Sequence, residues 1–442
     1  MDKLRDPYKT SRVLYVIEAA LEYFIAIAVG TVYLAKITAQ IGIPDNVTGI
    51  LTSFVSLGCG FQIIALFLAH KTPVKRWVTV FHIISQLLFS AMYFLPALPV
   101  SRTAQTALLI VSLLLAQILH NAINSPKINW YMSLIDEHKR GRFTAKKETI
   151  SLLGGMAFSF CLGLIMDSFS EKGKINTGFV VCGVILLFLT SLHTLTLVFA
   201  KEKEAKGTKK FNPAQTLALF KDKAVIKVIG VFALWNIASY ITVSYMGAYQ
   251  VNDLKLTATY SSLIIMIGSF ARAAVSVPFG RFADKFSFCK LLYICFSVEA
   301  VAFLTAMFIT PANGSYMYMI YYAIYCIGCA GINSAIINLI YDYVALDKRV
   351  GALALVNAAS GFVGFFATLA VSPLVSYVQE NGNKVFGMNL YAQQLLAAMS
   401  LLVVGVIMVY LVTVIGKMKK RAEREQISDT SLEKTEKQEV LQ

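Results

Sequence analysis

Twelve stretches of about 20 or more mainly apolar residues run through this 442-residue chain. No other feature restricts its fold so strongly, because about 20 helical residues cross the hydrocarbon core of a bilayer. The stretches lie near 12–38, 47–70, 76–97, 104–133, 149–169, 175–199, 225–251, 257–280, 289–310, 315–345, 350–378 and 386–416. They are continuous, whereas membrane-barrel strands alternate every second residue. The expected fold class is therefore all-α integral membrane, with twelve transmembrane helices. Only 15% of residues are charged and 57% are apolar, against about 25% charged in a soluble domain. That excludes a disordered chain, a disulfide scaffold and an ordinary soluble enzyme.

The charge balance fits the same reading. Thirty-two of the 40 basic residues precede the first stretch, follow an even-numbered one, or lie in the C-terminal tail. Loops on the cytoplasmic side carry such an excess, so both termini are expected to be cytoplasmic. Basic residues spread over short loops do not make a nucleic-acid surface. The seven cysteines fall in or at the edge of apolar runs. Cys326-Ile-Gly-Cys329 has no accompanying His or second pair, so packing is its expected role. The first run is too long for the apolar core of a cleavable signal peptide.

The longest loop falls after six stretches. The expected division is an N-terminal six-helix bundle (1–199) and a linker (200–224) with a short amphipathic helix starting at Asn212-Pro213. A C-terminal bundle (225–416) and a charged tail (417–442) follow. The halves repeat weakly. Ala69-His70-Lys71 after stretch 2 matches Ala283-Asp284-Lys285 after stretch 8. Lys139-Arg140-Gly141 after stretch 4 matches Lys348-Arg349-Val350-Gly351 after stretch 10. Parallel repeats of this kind imply two bundles related by an axis along the membrane normal.

Gly280-Arg281-Phe282-Ala283-Asp284-Lys285 resembles the G-x-x-x-D-[RK] loop motif of the major facilitator superfamily. Arg140-Gly141-Arg142 resembles the R-G-R of that family's next cytoplasmic loop. The resemblance, to bacterial members, covers the whole chain, although His70 stands where the first copy usually has Asp. It implies two pseudo-symmetric six-helix bundles, alternating access, and a central cavity lined by helices 1, 4, 7 and 10. It also implies gating by Gly280, Arg281, Asp284, Lys285, Arg140 and Arg142. Physically, a carboxylate such as Asp284 can latch the N-terminus of a neighbouring helix and release it when the halves rock.

Ionisable residues inside a bilayer cost about 2.5–3.5 kcal/mol each on insertion scales, so they point to function. Glu18 and Glu22 are one turn apart on one helix face, roughly 9 and 15 Å in from Arg12. Two carboxylates that close repel when both are ionised, which suits a proton carrier. Lys127 in stretch 4 falls at a similar depth, so a Glu18–Lys127 or Glu22–Lys127 ion pair is expected. A structural buried pair is the plainer alternative. Gln117, Asn121 and Asn124 form a polar stripe on stretch 4, expected to line a cavity or glue helices together. His120 is either a packing residue or a relay. Asn236 and Tyr240 of stretch 7 and Asn333 and Asn338 of stretch 10 complete the candidate substrate-binding set. Arg272 needs an anion, with Asp342, Glu299 or a substrate carboxylate as candidates, and Arg272 and Asp342 join the gating set.

No P-loop, nucleophile elbow or zinc motif is visible. Neither an enzyme, a metal site nor a cofactor is expected. The reading is a monomeric secondary transporter in the cell membrane. It would move a small polar organic solute, such as a sugar, coupled to protons through Glu18, Glu22 and Lys127, with sodium as the other candidate ion. Proton-antiport efflux of amphipathic cations is the alternative, and a non-transporting sensor on the same fold is a further one.

Overall fold

A computed structural model describes residues 6–64, 74–136, 140–203, 218–344, 349–385 and 387–418, apart from the side chains of 140–142, 145, 336, 337 and 350. Stretch 1 becomes two helices, α1 (Lys9–Ala28) and α2 (Thr31–Ile41), bent by 41°. The break falls at Gly30, which leaves the helix for an extended conformation and caps α2. Glycine is a weak helix former, so the bend forms there. α2 ends on Gly42 at φ 87°, a left-handed cap that returns its N–H to the Thr38 carbonyl at 2.9 Å. Stretch 2 is divided as well, into α3 (Asp45–Thr52) and α4 (Phe54–Gly60). The hydroxyl of the intervening Ser53 donates to the Ile50 carbonyl at 2.7 Å, competing with the helical ladder.

The remaining stretches are long helices. In chain order they are α5 (Val74–Ala91), α6 (Arg102–Ser133), α7 (Arg140–Glu171), α8 (Ile175–Phe199) and α9 (Lys223–Ala248). Then come α10 (Ala258–Lys285), α11 (Phe288–Ala306), α12 (Gly314–Tyr343), α13 (Arg349–Glu380) and α14 (Ala392–Tyr410). Pro126 lies inside α6, which continues through it. Two short antiparallel strands, β1 (Lys384–Val385) and β2 (Met388–Asn389), precede α14. Among the described residues ten helices are long and apolar enough to cross a membrane, and α1 with α2 makes an eleventh. The twelfth expected span runs through α3 and α4 into residues outside the described ones. The linker helix expected at Asn212 and most of the charged tail also lie outside them. Large apolar side chains such as Val111, Phe188 and Leu402 stand exposed on the outer faces. Lipid is the solvent that makes this stable. The chain is a multi-pass membrane protein.

Helices α1–α8 and α9–α14, the two halves of the chain, meet mainly on the side away from the termini, here the far side. Among the described residues the hydrogen bonds between them start at the far-side loops. The Asp45 carboxylate accepts from Asn252 Nδ2 at 2.5 Å and from Gln379 Nε2 at 2.7 Å. The Asp167 carboxylate accepts from the backbone N–H groups of Ala258 (2.8 Å) and Thr259 (2.7 Å). Deeper in, the Tyr33 hydroxyl contacts Ser262 Oγ at 2.9 Å, and Ser56 Oγ donates to the Gly361 carbonyl at 2.8 Å. The contact nearest the terminus side, Asn357 Nδ2 to Gln62 Oε1, is also the longest at 3.4 Å. At Gly247 an added Cβ would come within 2.4 Å of the Thr31 carbonyl oxygen, so only glycine permits this approach. These contacts tie the two halves together on the far side. Toward the termini, α10 is exposed on most faces from Arg272 to Arg281.

Candidate functional site

The packing of α1 against α6 and α8 brings together the ionisable groups of the first half. On α1, Glu18 and Glu22 share one face. On α6, Lys127 and His120 are two turns apart and point the same way. Lys127 Nζ lies 2.8 Å from Glu18 Oε1 and 2.5 Å from Glu22 Oε1. One ammonium therefore bridges both carboxylates, where the sequence left the choice between them open. Glu18 and Lys127 are buried, while Glu22 and His120 keep about a fifth of their side-chain surface exposed. His120 Nδ1 is 3.6 Å from Glu22 Oε1, beyond a hydrogen bond.

Two histidines that the sequence reading passed over extend the cluster. His193 of α8 places Nε2 at 3.1 Å from Glu18 Oε1. Its Nδ1 lies 3.1 Å from Nε2 of His82 of α5, with the rings nearly perpendicular and their centroids 4.0 Å apart. Both histidines are fully buried. The groups run in the order His82, His193, Glu18, Lys127, Glu22 and His120.

Aromatic rings close this cluster toward the termini. Tyr15, one turn below Glu18, stacks on Tyr131, one turn below Lys127, with centroids 4.2 Å apart and planes within 4°. Tyr131 in turn stacks on Trp130 at 4.7 Å, and the Trp130 indole N–H donates to the Lys201 carbonyl at 3.0 Å. With this floor in place, the partly exposed edge of the cluster is Glu22 and His120, toward the middle of the molecule. With both carboxylates ionised and Lys127 charged the cluster carries a net −1, and one added proton neutralises it. Buried charge is costly unless paired, so that proton changes the free energy of enclosing the site.

The far-side seam holds the second arrangement of interest. The first three N–H groups of α10 have no intrahelical partner. Thr257 Oγ1 accepts from Tyr260, and Asp167, from the other half of the chain, takes Ala258 and Thr259. A carboxylate against a helix N-terminus is favourable on dipole grounds as well. The contact has the chemistry expected of Asp284, and in this structure Asp167, on the opposite side, makes it. Among the described residues Asp284 makes no hydrogen bond or ion pair, and Gly280, Arg281, Asp284 and Lys285 are all exposed. The side chains of Arg140 and Arg142 lie outside the described residues.

A sequence model of the Major Facilitator Superfamily matches residues 14–368. The chain belongs to that superfamily. The nucleoside transporter NupG has a crystal structure similar to this one, with a TM-score of 0.68, 13% identity, and 92% of this chain and 100% of that one covered. A D-xylose-proton symporter gives a TM-score of 0.69 at 13% identity, covering 90% and 97%. A POT family peptide transporter gives 0.67 at 12%, covering 93% and 98%. At these identities the likeness is one of fold. No curated protein sequence matches the chain.

The remaining candidates take these places in this major facilitator chain, a secondary transporter. Gln117 and Asn121 are buried where α6 crosses α4. Asn121 Nδ2 donates to the Gln117 carbonyl at 2.9 Å, and Asn121 Oδ1 accepts from Cys59 Sγ at 3.4 Å and Gln62 Nε2 at 3.5 Å. A Cβ on Gly58 would meet Asn121 Nδ2 at 2.6 Å. These two amides therefore act as glue, and Gln62 carries the chain of amides across to Asn357. Asn124 is half-buried on the same helix. Asn236 and Tyr240 are half-buried beside Gly364 of α13. Asn333 is exposed, and Asn338 is half-buried with Nδ2 bonded back to the Ser334 carbonyl at 2.9 Å. Asp342 is half-buried near the terminus end of α12.

Arg272 is exposed, whereas Glu299 is fully buried between α11 and α12, against Gly328, where a Cβ would meet Oε1 at 2.4 Å. Its nearest polar neighbour is the Cys329 thiol of α12, and among the described residues no other group pairs with its carboxylate. Arg272 and Glu299, offered as partners by the sequence, are therefore not paired: one stands in the open half of α10 and the other inside a helix contact.

Proposed function

We propose that this transporter carries a small polar organic solute in step with protons, and that Glu18, Glu22 and Lys127 hold the coupling proton. The observation that carries the reading is the single Lys127 ammonium bridging two carboxylates beneath the middle of the molecule. In one protonation state the cluster has a net charge of −1, in the other none. Coupling requires that proton affinity differ between the two access states. A cluster that is charged until it takes one proton supplies that difference. Asn124, Asn236, Tyr240 and Asn333 offer amides and a phenol that suit a hydroxyl-bearing solute. Structures of the same fold include transporters of a nucleoside and of D-xylose, both hydroxyl-bearing solutes.

The basic loops favour cytoplasmic termini, and on that reading the far side faces outward and the state described here opens inward. Rocking to the opposite state breaks the Asp45 and Asp167 contacts and brings Asp284, Arg281 and Lys285 into a terminus-side closure with Arg140 and Arg142, with Arg272 and Asp342 flanking it. The protein works as a monomer, since both halves of the pathway come from one chain.

The test is proton flux into proteoliposomes, read by an internal pH dye, against a panel of sugars, nucleosides and organic cations. Glu22→Gln protein runs in parallel. A solute-triggered pH change in the wild type that Glu22→Gln abolishes is the expected result. Isotope-measured uptake with no pH change overturns the coupling and leaves uniport or sodium.

A further inference from the structure

The geometry points to His82 and His193 as a proton wire that ends on Glu18. This inference rests on the coupling role proposed for Glu18, Glu22 and Lys127. His193 is held between two partners at equal distance, Glu18 Oε1 on Nε2 and His82 Nε2 on Nδ1, each at 3.1 Å. Each imidazole nitrogen bears either a proton or a lone pair, so one proton lies between the two rings. Two arrangements satisfy both hydrogen bonds with neutral rings. In the first, His193 Nε2–H donates to ionised Glu18, His82 Nε2–H donates to His193 Nδ1, and His82 Nδ1 is bare. In the second, protonated Glu18 donates to His193 Nε2, His193 Nδ1–H donates to His82 Nε2, and His82 Nδ1 carries a proton.

The two differ by one proton, gained at His82 Nδ1. As that N–H bond forms, His82 Nε2–H breaks and His193 Nδ1–H forms. His193 Nε2–H then breaks and Glu18 gains its O–H. Each ring changes tautomer and neither is left charged. Among the described residues His82 Nδ1, the outer end, is buried without a hydrogen-bond partner. Thr79 Oγ1, one turn nearer the termini on the same face of α5, is buried and unpartnered among them too, which marks the direction of entry. The other titratable or charged groups around the dyad are Glu22 of α1 and His120 and Lys127 of α6. The Tyr15–Tyr131 floor closes the direct route from the terminus side to Glu18. The wire supplies a route around that floor.

The test uses full-length protein in bilayers and the proton itself as probe. An alkaline-to-acid pH jump is followed by time-resolved infrared absorption of the carboxylic acid C=O band, assigned to Glu18 by its loss in Glu18→Gln. His193→Gln keeps a donor for Glu18 and an acceptor for His82 but cannot relay, so the band should rise about a hundredfold more slowly. His82→Gln should do the same. An unchanged rate in both variants overturns the wire and leaves the coupling intact. A wild type in which no Glu18 band rises overturns the coupling and the wire together. Nitrogen-15 NMR of wild-type histidines needs no variant. The two rings must change tautomer in the same pH step, and independent changes, or none, overturn the proposal.

Discussion

Replacing Lys127 by Met removes the one cation that bridges Glu18 and Glu22, and the structure gives the size of the effect. The ammonium lies 2.8 and 2.5 Å from the two carboxylates and is itself only 2% exposed. Without it two carboxylates share one buried site, and the net charge goes from −1 to −2. Breaking a buried ion pair by deleting one partner costs about 3–5 kcal/mol. Glu22→Gln is the contrasting change. It leaves the Lys127–Glu18 pair with no net charge, removes one contact from a side chain that is a fifth exposed, and should cost about 1 kcal/mol. The triple change Lys127→Met, Glu18→Gln, Glu22→Gln removes every charge and should recover most of the loss, since neutral replacements of buried pairs are often harmless. The assay is reversible unfolding of detergent-solubilised protein titrated with SDS. It is run in a Trp235→Phe background so that Trp77 and Trp130 report on the first half. If Lys127→Met is no less stable than Glu22→Gln, or the triple variant is as unstable as Lys127→Met, the electrostatic account of the cluster is wrong.

The far-side seal makes further predictions, read as the distance between spin labels at Lys172 and Asn381, both exposed far-side positions. Asp45→Ala removes two cross-half hydrogen bonds to a charged group, each worth about 1.5–3 kcal/mol, so a longer-distance population should appear. Asp167→Asn keeps the shape but loses the charge at the N-terminus of α10. It should shift the population in the same direction by less, about 0.3–2 kcal/mol. Gly247→Leu drives a side chain into the Thr31 carbonyl, and its overpacking cost of about 1–3 kcal/mol should also part the far side. Unchanged distances in all three would mean that these contacts do not hold the seal.

Much of this protein is written locally in its sequence. Each membrane span follows from the transfer free energy of its own 20 or so residues, and the break at Gly30 follows from one weak helix former. The meeting of Lys127 with Glu18 and Glu22 was legible because their depths could be counted along two helices, and burial gives each charge a strong reason to find the other. His82 and His193 carried no such signal. They are 111 residues apart on different helices, each alone in an apolar run, and a lone histidine there reads as packing. Only the seating of α8 between α5 and α1 puts their nitrogens in line with Glu18. Asn121 shows the same limit, because its spacing named a face of α6 but not that Gly58 of α4 would cover it. The latch was the hardest to place. Asp284 and Asp167 are both carboxylates near helix ends, and the sequence motif favoured Asp284. In this structure Asp167 is the one engaged, because its helix end meets the N-terminus of α10, and which helix ends meet is a property of the assembled molecule. Spans are set by short windows of residues acting on the bilayer. Partnerships are set by which faces meet, and that is a long-range free-energy difference no single segment contains.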